Sequence, residues 1–170
     1  MSKLIPDYVF DSIYDITPEI LTSHGIRAVL VDLDGTMASH KAALPPENLH
    51  TFVDRLQNAG ITVLVFSNNN PNRVGKFCEA LGVDFISRAR KPFAKGYRMA
   101  EEKLGLPVSR MAVIGDQIFT DVFGGHRAGA LTCYVETLDR RFFWINVRYQ
   151  LERGFIARGR RRMEARAHHG

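Results

Sequence analysis

Ala28-Val29-Leu30-Val31-Asp32-Leu33-Asp34-Gly35-Thr36 joins an apolar run to two carboxylates and a glycine. Residues 28–33 are apolar but for Asp32 and show no alternation. That predicts a strand buried on both faces, as in a parallel sheet covered by helices. A carboxylate between apolar strand residues is expensive unless something pairs with it. Asp32 is therefore read as a chemical group, not as a surface charge or a helix cap.

Outward from this run, short apolar stretches alternate with amphipathic ones. Further strands are expected at 61–66, 84–86, 111–114 and 131–135. Thr17-Pro18-Glu19 opens a helix that Gly25 closes. The stretch 46–59 sets Leu49, Phe52, Val53 and Leu56 at helical spacing before Gly60. Asn70-Pro71 opens a third helix, with Val74, Phe77, Cys78 and Leu81 inward, and Gly82 ends it. Helices are also expected over 95–104 and 119–128. Strands separated by such helices pair in parallel with right-handed crossovers. The class is α/β, a three-layer doubly wound parallel sheet.

Ligands of such sheets bind beyond the carboxyl ends of the strands, where strand order reverses. The chemically active residues fall there. Asp32, Asp34, Gly35 and Thr36 follow the first of these strands, and Ser67 and Asn68 the second. Lys91 lies in the loop after the third, and Gly115, Asp116 and Asp121 follow the fourth.

Taken in order, VDLDGT, VFSNN, the lysine of RKP and GDQIFTD resemble the four motifs of the haloacid dehalogenase superfamily, over roughly residues 4–136. PDYVFDSIYDITPEIL, SNNNPNRV, ARKPFAKGYRMA and IGDQIFTDVFGGHRAG resemble its capless IIIA subfamily of YqeG type. That group is similar to phosphatidylglycerophosphate phosphatases of the mitochondrial type. It often carries asparagine where this chain has Gly35.

The resemblance implies a reaction. Asp32 is the nucleophile that forms an aspartyl-phosphate. Asp34 is the general acid to the leaving oxygen and then the general base to water. A magnesium ion takes Asp32, the main-chain carbonyl of Asp34 and Asp116, with Asp121 ligating directly or through water. Ser67 and the amide of Asn68 bind phosphoryl oxygens, and Lys91 balances the nucleophile and the transferred group. Asp121 can also cap the helix after it. Asn69, Asn70 and Asn72 are read as turn and cap residues. His24, His40, His50 and His126 are scattered and lack metal spacing; His126, after the last motif's helix, is read as a surface group, and His168 and His169 as terminal.

Between Thr36 and Pro45 there is room for a flap but not for a lid domain, and none fits between Ser67 and Lys91. An open crevice suits a phosphate on something large or on a surface.

Composition fits one folded domain, with 45% hydrophobic and 24% charged residues in 170. Two cysteines without a CxxC pair point to neither zinc nor a disulfide framework. No signal-like or membrane-spanning run is seen, so a cytoplasmic protein is expected.

The net charge of +5 is uneven. From Arg140 onward nine arginines face two glutamates, a net +7, so the rest carries −2. This divides the chain into a catalytic domain over 1–139 and a basic, aromatic-rich segment over 140–170. The segment reads as a helix followed by a flexible tail. Either it is a basic amphipathic helix for an anionic membrane surface, or its aromatic half docks on the domain and leaves a free basic end. Gly154 and Gly159 count against a continuous helix.

The expected function is hydrolysis of a phosphomonoester, with phosphatidylglycerophosphate at the inner face of the membrane as the substrate the resemblance implies. A soluble phosphate ester is the rival substrate. A nucleic-acid or ribosome-binding role is the weaker rival, because no RNA-binding signature is present.

Overall fold

The structure, a computed structural model, describes residues 2–139 and 143–167. Six parallel strands form one sheet: β1 (Tyr8–Phe10), β2 (Ala28–Val31), β3 (Thr62–Phe66), β4 (Asp84–Ile86), β5 (Met111–Gly115) and β6 (Leu131–Val135). Their order is β1-β6-β5-β2-β3-β4. Helices α1 (Pro18–Ser23), α2 (Glu47–Asn58), α3 (Pro71–Leu81), α4 (Ala94–Leu104), α5 (Phe123–Ala128) and α6 (Phe143–Ala167) complete the fold.

Adjacent residues of β2 serve opposite faces, as strand geometry requires. Val29 and Val31 pack with Leu49, Phe52, Val53 and Leu56 of α2 and Val74, Phe77 and Leu81 of α3. Ala28 and Leu30 pack on the other face with Tyr97 and Ala100 of α4. The three-layer α/β expectation therefore holds.

The first helix turns also follow the sequence. Pro18 and Pro71 stand in the first turns of α1 and α3, and the Asn70 side chain accepts from Arg73 N. No helix among the described residues is long and apolar enough to cross a membrane.

Three features differ from expectation. β1 was not foreseen. Its three residues sit between Asp7 and Asp11 and become a strand only through pairing with β6, Tyr8 opposite Cys133. The helix expected over 119–128 begins instead as a π-helical turn, Ile118–Val122, and becomes α-helical at Phe123.

The third difference is α6, which runs unbroken through Gly154 and Gly159 to Ala167. A Cβ on Gly159 would stand 2.7 Å from Pro6 and 2.9 Å from Val9, so the glycine is what lets α6 lie against β1. The basic end of α6 is not a free tail. Arg160 pairs with Asp11 at 2.8 Å, and Arg166 lies over the Tyr8 ring and reaches Asp7 O. His168 and His169 lie outside the described residues.

Candidate active site

Strand order reverses between β2 and β5, which are neighbours in register Val31 opposite Ile114. Asp32 extends β2, and its amide donates to Ile114 O at 2.9 Å. The loop after β4 brings Lys91 to the same place. The Asn68 side chain holds that loop, accepting from Lys91 N at 2.8 Å and donating to Lys91 O at 3.1 Å. Lys91 Nζ then donates to Asp32 Oδ1 at 2.6 Å and to Asp121 Oδ1 at 2.7 Å. The ammonium also lies 5.6 Å from the Phe66 ring centre.

Asp116 follows β5, and Asp121 returns to it through the π turn. Asp121 Oδ2 accepts from Gln117 N at 3.2 Å, so this carboxylate both caps the turn and holds Lys91. Gly115 makes the return possible, because a Cβ there would lie 2.3 Å from the Asp121 carboxyl. Gly35 is equally constrained. Its φ is +89°, and a Cβ would meet Asp116 Oδ2 at 2.7 Å. In this backbone an asparagine at 35 would strike the carboxylate it stands beside, and glycine fits.

Asp32, Asp116 and Asp121 are all buried and each offers an oxygen within 4.8 Å of the others. Burial raises the Asp32 carboxyl, against the pull of Lys91, to about 6. Burial likewise raises Asp116 and Asp121. For Lys91 burial disfavours the charge, but Asp121 and Asp32 outweigh it and hold the ammonium above its usual value. A set of buried, hard oxygen donors of this kind suits a divalent cation such as magnesium. When bound, such an ion supplies Lewis-acid polarisation of a phosphoryl oxygen.

Asp34 is buried like Asp32 but is held from another direction. Arg73 of α3 pairs with its Oδ1 at 2.9 Å, and Asn69 Nδ2 donates to its Oδ2 at 2.8 Å. Arg73 also donates to the main-chain oxygens of Ser39 and Ala42, tying α3 to the flap. The flap has a second tie. Buried Asp139 accepts from Ser39 Oγ at 2.6 Å and His40 N at 2.9 Å, and the His40 ring contacts the same carboxylate. Burial raises Asp139, but these hydrogen bonds outweigh it and leave the carboxyl below its ordinary value.

Asp32, Asp34, His40, Ser67, Asn68, Asn69 and Gln117 together line a cavity of about 330 Å³. The structure thus brings every sequence-predicted site residue to one crevice or its wall. Ser67 is buried there, its Oγ accepting from Asn69 N at 3.1 Å. The Asn68 side chain is committed to the Lys91 loop.

One reading needs correction. Asn69 is more than a turn residue, since it aims Asp34. His40, assigned no role from the sequence, is fixed at the cavity by buried Asp139. His126 also has partners, Lys3 O and Asp7 Oδ2, each at 2.9 Å.

Sequence reasoning missed Arg73, Arg148 and Glu152 altogether. Arg148 of α6 donates to Asp116 Oδ2 at 2.9 Å. Glu152, one turn on and 1% exposed, accepts from Ile118 N at 2.9 Å and Phe119 N at 3.4 Å, the first amides of the π turn. Burial raises the Glu152 carboxyl to about 7 against the pull of Arg148. The spacing of Arg148 and Glu152 at i, i+4 was visible, but nothing local says what they reach.

The sequence model of the haloacid dehalogenase-like hydrolases matches residues 13–129. The chain belongs to that family.

This haloacid dehalogenase-like hydrolase is 35% identical over 162 residues to the "Probable phosphatase YqeG" of Bacillus subtilis, across 95% of this chain and 88% of that one. It is 30% identical over 156 residues to phosphatidylglycerophosphate phosphatase 1, chloroplastic/mitochondrial, of Arabidopsis thaliana, across 86% of this chain and 42% of that protein. Among solved structures, the D,D-heptose 1,7-bisphosphate phosphatase of B. bronchiseptica, in complex with magnesium and phosphate, superposes with a TM-score of 0.53. Its identity is 20%, over 68% of this chain and 84% of that one, and so it speaks for the fold alone. Family and site agree on the reaction class: this haloacid dehalogenase-like hydrolase is a phosphatase.

Proposed function

We propose that the chain is a magnesium-dependent phosphomonoesterase that works through an aspartyl-phosphate on Asp32, with phosphatidylglycerophosphate as substrate. Asp32 attacks phosphorus, the ester P–O bond breaks, and Asp34 gives its proton to the departing glycerol oxygen. Asp34 then takes a proton from water, which attacks the phosphorus and releases inorganic phosphate and the Asp32 carboxylate. Lys91 fixes the nucleophile by holding its Oδ1, and balances the charge of the transferred group. Arg73 and Asn69 aim Asp34. Ser67 and the Asn68 amide hold phosphoryl oxygens. Asp32, Asp116 and Asp121, with the Asp34 carbonyl, would hold magnesium.

The observation that carries the substrate is the 30% identity to the Arabidopsis phosphatidylglycerophosphate phosphatase over 86% of this chain. The crevice supports it. No lid domain is inserted between β2 and α2, or between β3 and Lys91, where only α3 and β4 stand.

The test is phosphate release with and without magnesium, comparing wild type with Asp32→Asn. Substrates are phosphatidylglycerophosphate in detergent micelles and a panel of soluble phosphate esters. Asp32-dependent release that strongly prefers the lipid supports the proposal. Faster release from a soluble ester keeps the mechanism and discards the lipid. Equal rates in the Asp32→Asn protein would discard the nucleophile.

A further inference from the structure

Seven of the eight large hydrophobic side chains that are exposed among the described residues share one region. Four stand in the segments that follow the carboxyl ends of strands: Leu44 after β2, Phe93 after β4, Phe119 in the π turn after β5 and Leu138 after β6. The other three lie on one face of the first turns of α6: Trp144 (77% exposed), Val147 (40%) and Leu151 (67%). The two groups meet, because Phe119 packs edge-on against Phe155 of α6 at 6.5 Å between ring centres. Scattered exposed hydrophobics are ordinary, but this concentration around one crevice is not.

The exposed charges of the same region are mainly basic. Asp32, Asp34, Asp116, Asp121 and Asp139 are buried, and half-buried Glu136 lies 3.9 Å from Arg160. The exposed charges beside Phe93 are Arg88, Arg90 and Lys95. Beside Leu44 stand exposed Lys41 and Glu47, so the mouth presents apolar and mainly basic groups to solvent, while these aspartates are buried.

We infer that this rim docks on an anionic lipid bilayer, with Trp144, Val147 and Leu151 entering the interface and Arg88, Arg90 and Lys95 meeting lipid phosphates. The inference deepens the lipid reading of the same site and rests on it. It also moves the membrane contact from the arginine-rich end of α6, where Arg160 and Arg166 serve the fold, to the crevice mouth. A protein partner on this rim would cover the crevice it surrounds. A bilayer would instead deliver phosphate to it, and basic groups favour anionic headgroups.

The chain has one tryptophan, Trp144, which makes docking directly readable. The full-length protein is mixed with vesicles of phosphatidylcholine alone or with phosphatidylglycerol, neither carrying a phosphomonoester. The expected result is a blue shift of tryptophan emission, and quenching by brominated acyl chains, on the anionic vesicles only. In vesicle sedimentation, Trp144→Ala with Leu151→Ala should lower partitioning roughly tenfold or more. Arg88→Gln with Lys95→Gln should flatten its salt dependence. Both proteins should turn over a soluble ester like wild type.

No spectral shift on anionic vesicles, or undiminished partitioning of the Trp144/Leu151 variant, would overturn the docking. So would a concentration-dependent dimer in lipid-free buffer with a blue-shifted tryptophan, which assigns the rim to a second copy. Release from micellar phosphatidylglycerophosphate without vesicle binding discards docking alone. Vesicle binding without such release discards the substrate alone.

Discussion

The floor of the crevice and its wall are built in different ways. The floor consists of Asp32, Asp116, Asp121 and Lys91, buried groups delivered from the ends of β2 and β5 and the loop after β4, with Lys91 joined to Asp32 and Asp121 by bonds of 2.6 and 2.7 Å. The wall is assembled from distant parts: Arg73 of α3, His40 of the flap with Asp139 beyond β6, and Arg148 with Glu152 of α6. Asp32 and Asp34 show the contrast at closest range. Two residues apart and equally buried, one answers to a lysine of the floor and the other to an arginine of the wall. In the proposed mechanism the floor and Asp34 carry phosphoryl transfer, and the wall, which borders the opening, is where discrimination between esters is expected. A fold can therefore keep its chemistry while its wall is rebuilt.

The comparison can be broken at several points. Asp32→Asn should cut turnover of every ester about 10³-fold or more, with the melting temperature within a few degrees of wild type. Uneven losses between substrates, read by steady-state kinetics, would mean that the nucleophile also sorts them. Lys91→Met leaves buried Asp32 and Asp121 without their lysine and should cost about 3–5 kcal/mol in urea unfolding. Magnesium at a hundred times its dissociation constant should stabilise the wild-type protein by about 2.7 kcal/mol. Chelation should reverse that gain, and Asp116→Asn should abolish it. Thermal melts read this without any turnover.

In the wall, Arg73→Gln should lower kcat/KM about tenfold, and by different factors for lipid and soluble esters. A uniform loss would place Arg73 with the floor.

The smallest effect belongs to the flap. Asp139→Asn should weaken its tie by about 1–2 kcal/mol, seen as faster hydrogen exchange at the His40 amide. Because the folded Asp139 carboxyl lies below its ordinary 3.8, the tie is whole above that value. It is lost as pH falls through the lowered one. The protection of the wild-type His40 amide, relative to its intrinsic exchange rate, should fall there, and that of the Asp139→Asn protein should stay flat.

The floor was legible in the sequence because its residues sit on local signals, the ends of apolar runs. The wall was not, because Arg73, His40 and Glu152 owe their roles to partners 39, 99 and 34 positions away. The same reason hid β1, which is a strand only beside β6. Gly159 misled directly. In a helix it reads as a weakness, and here it is the close contact with Pro6 and Val9 that keeps α6 in place. The π turn was hidden too, since 119–128 has ordinary helical spacing and only Asp121 turning back to Lys91 and Gln117 departs from it.

Glu152 carries a consequence for the order of events during synthesis. Every motif loop has left the ribosome once Asp121 has emerged, yet the acceptor for the Ile118 amide follows 34 positions behind it. Until that glutamate arrives, the turn that presents Asp121 lacks its buried anchor. A nascent chain with its sheet already formed therefore holds an unfinished centre. On that account the centre should be complete only once α6 has packed against β1 and the π turn.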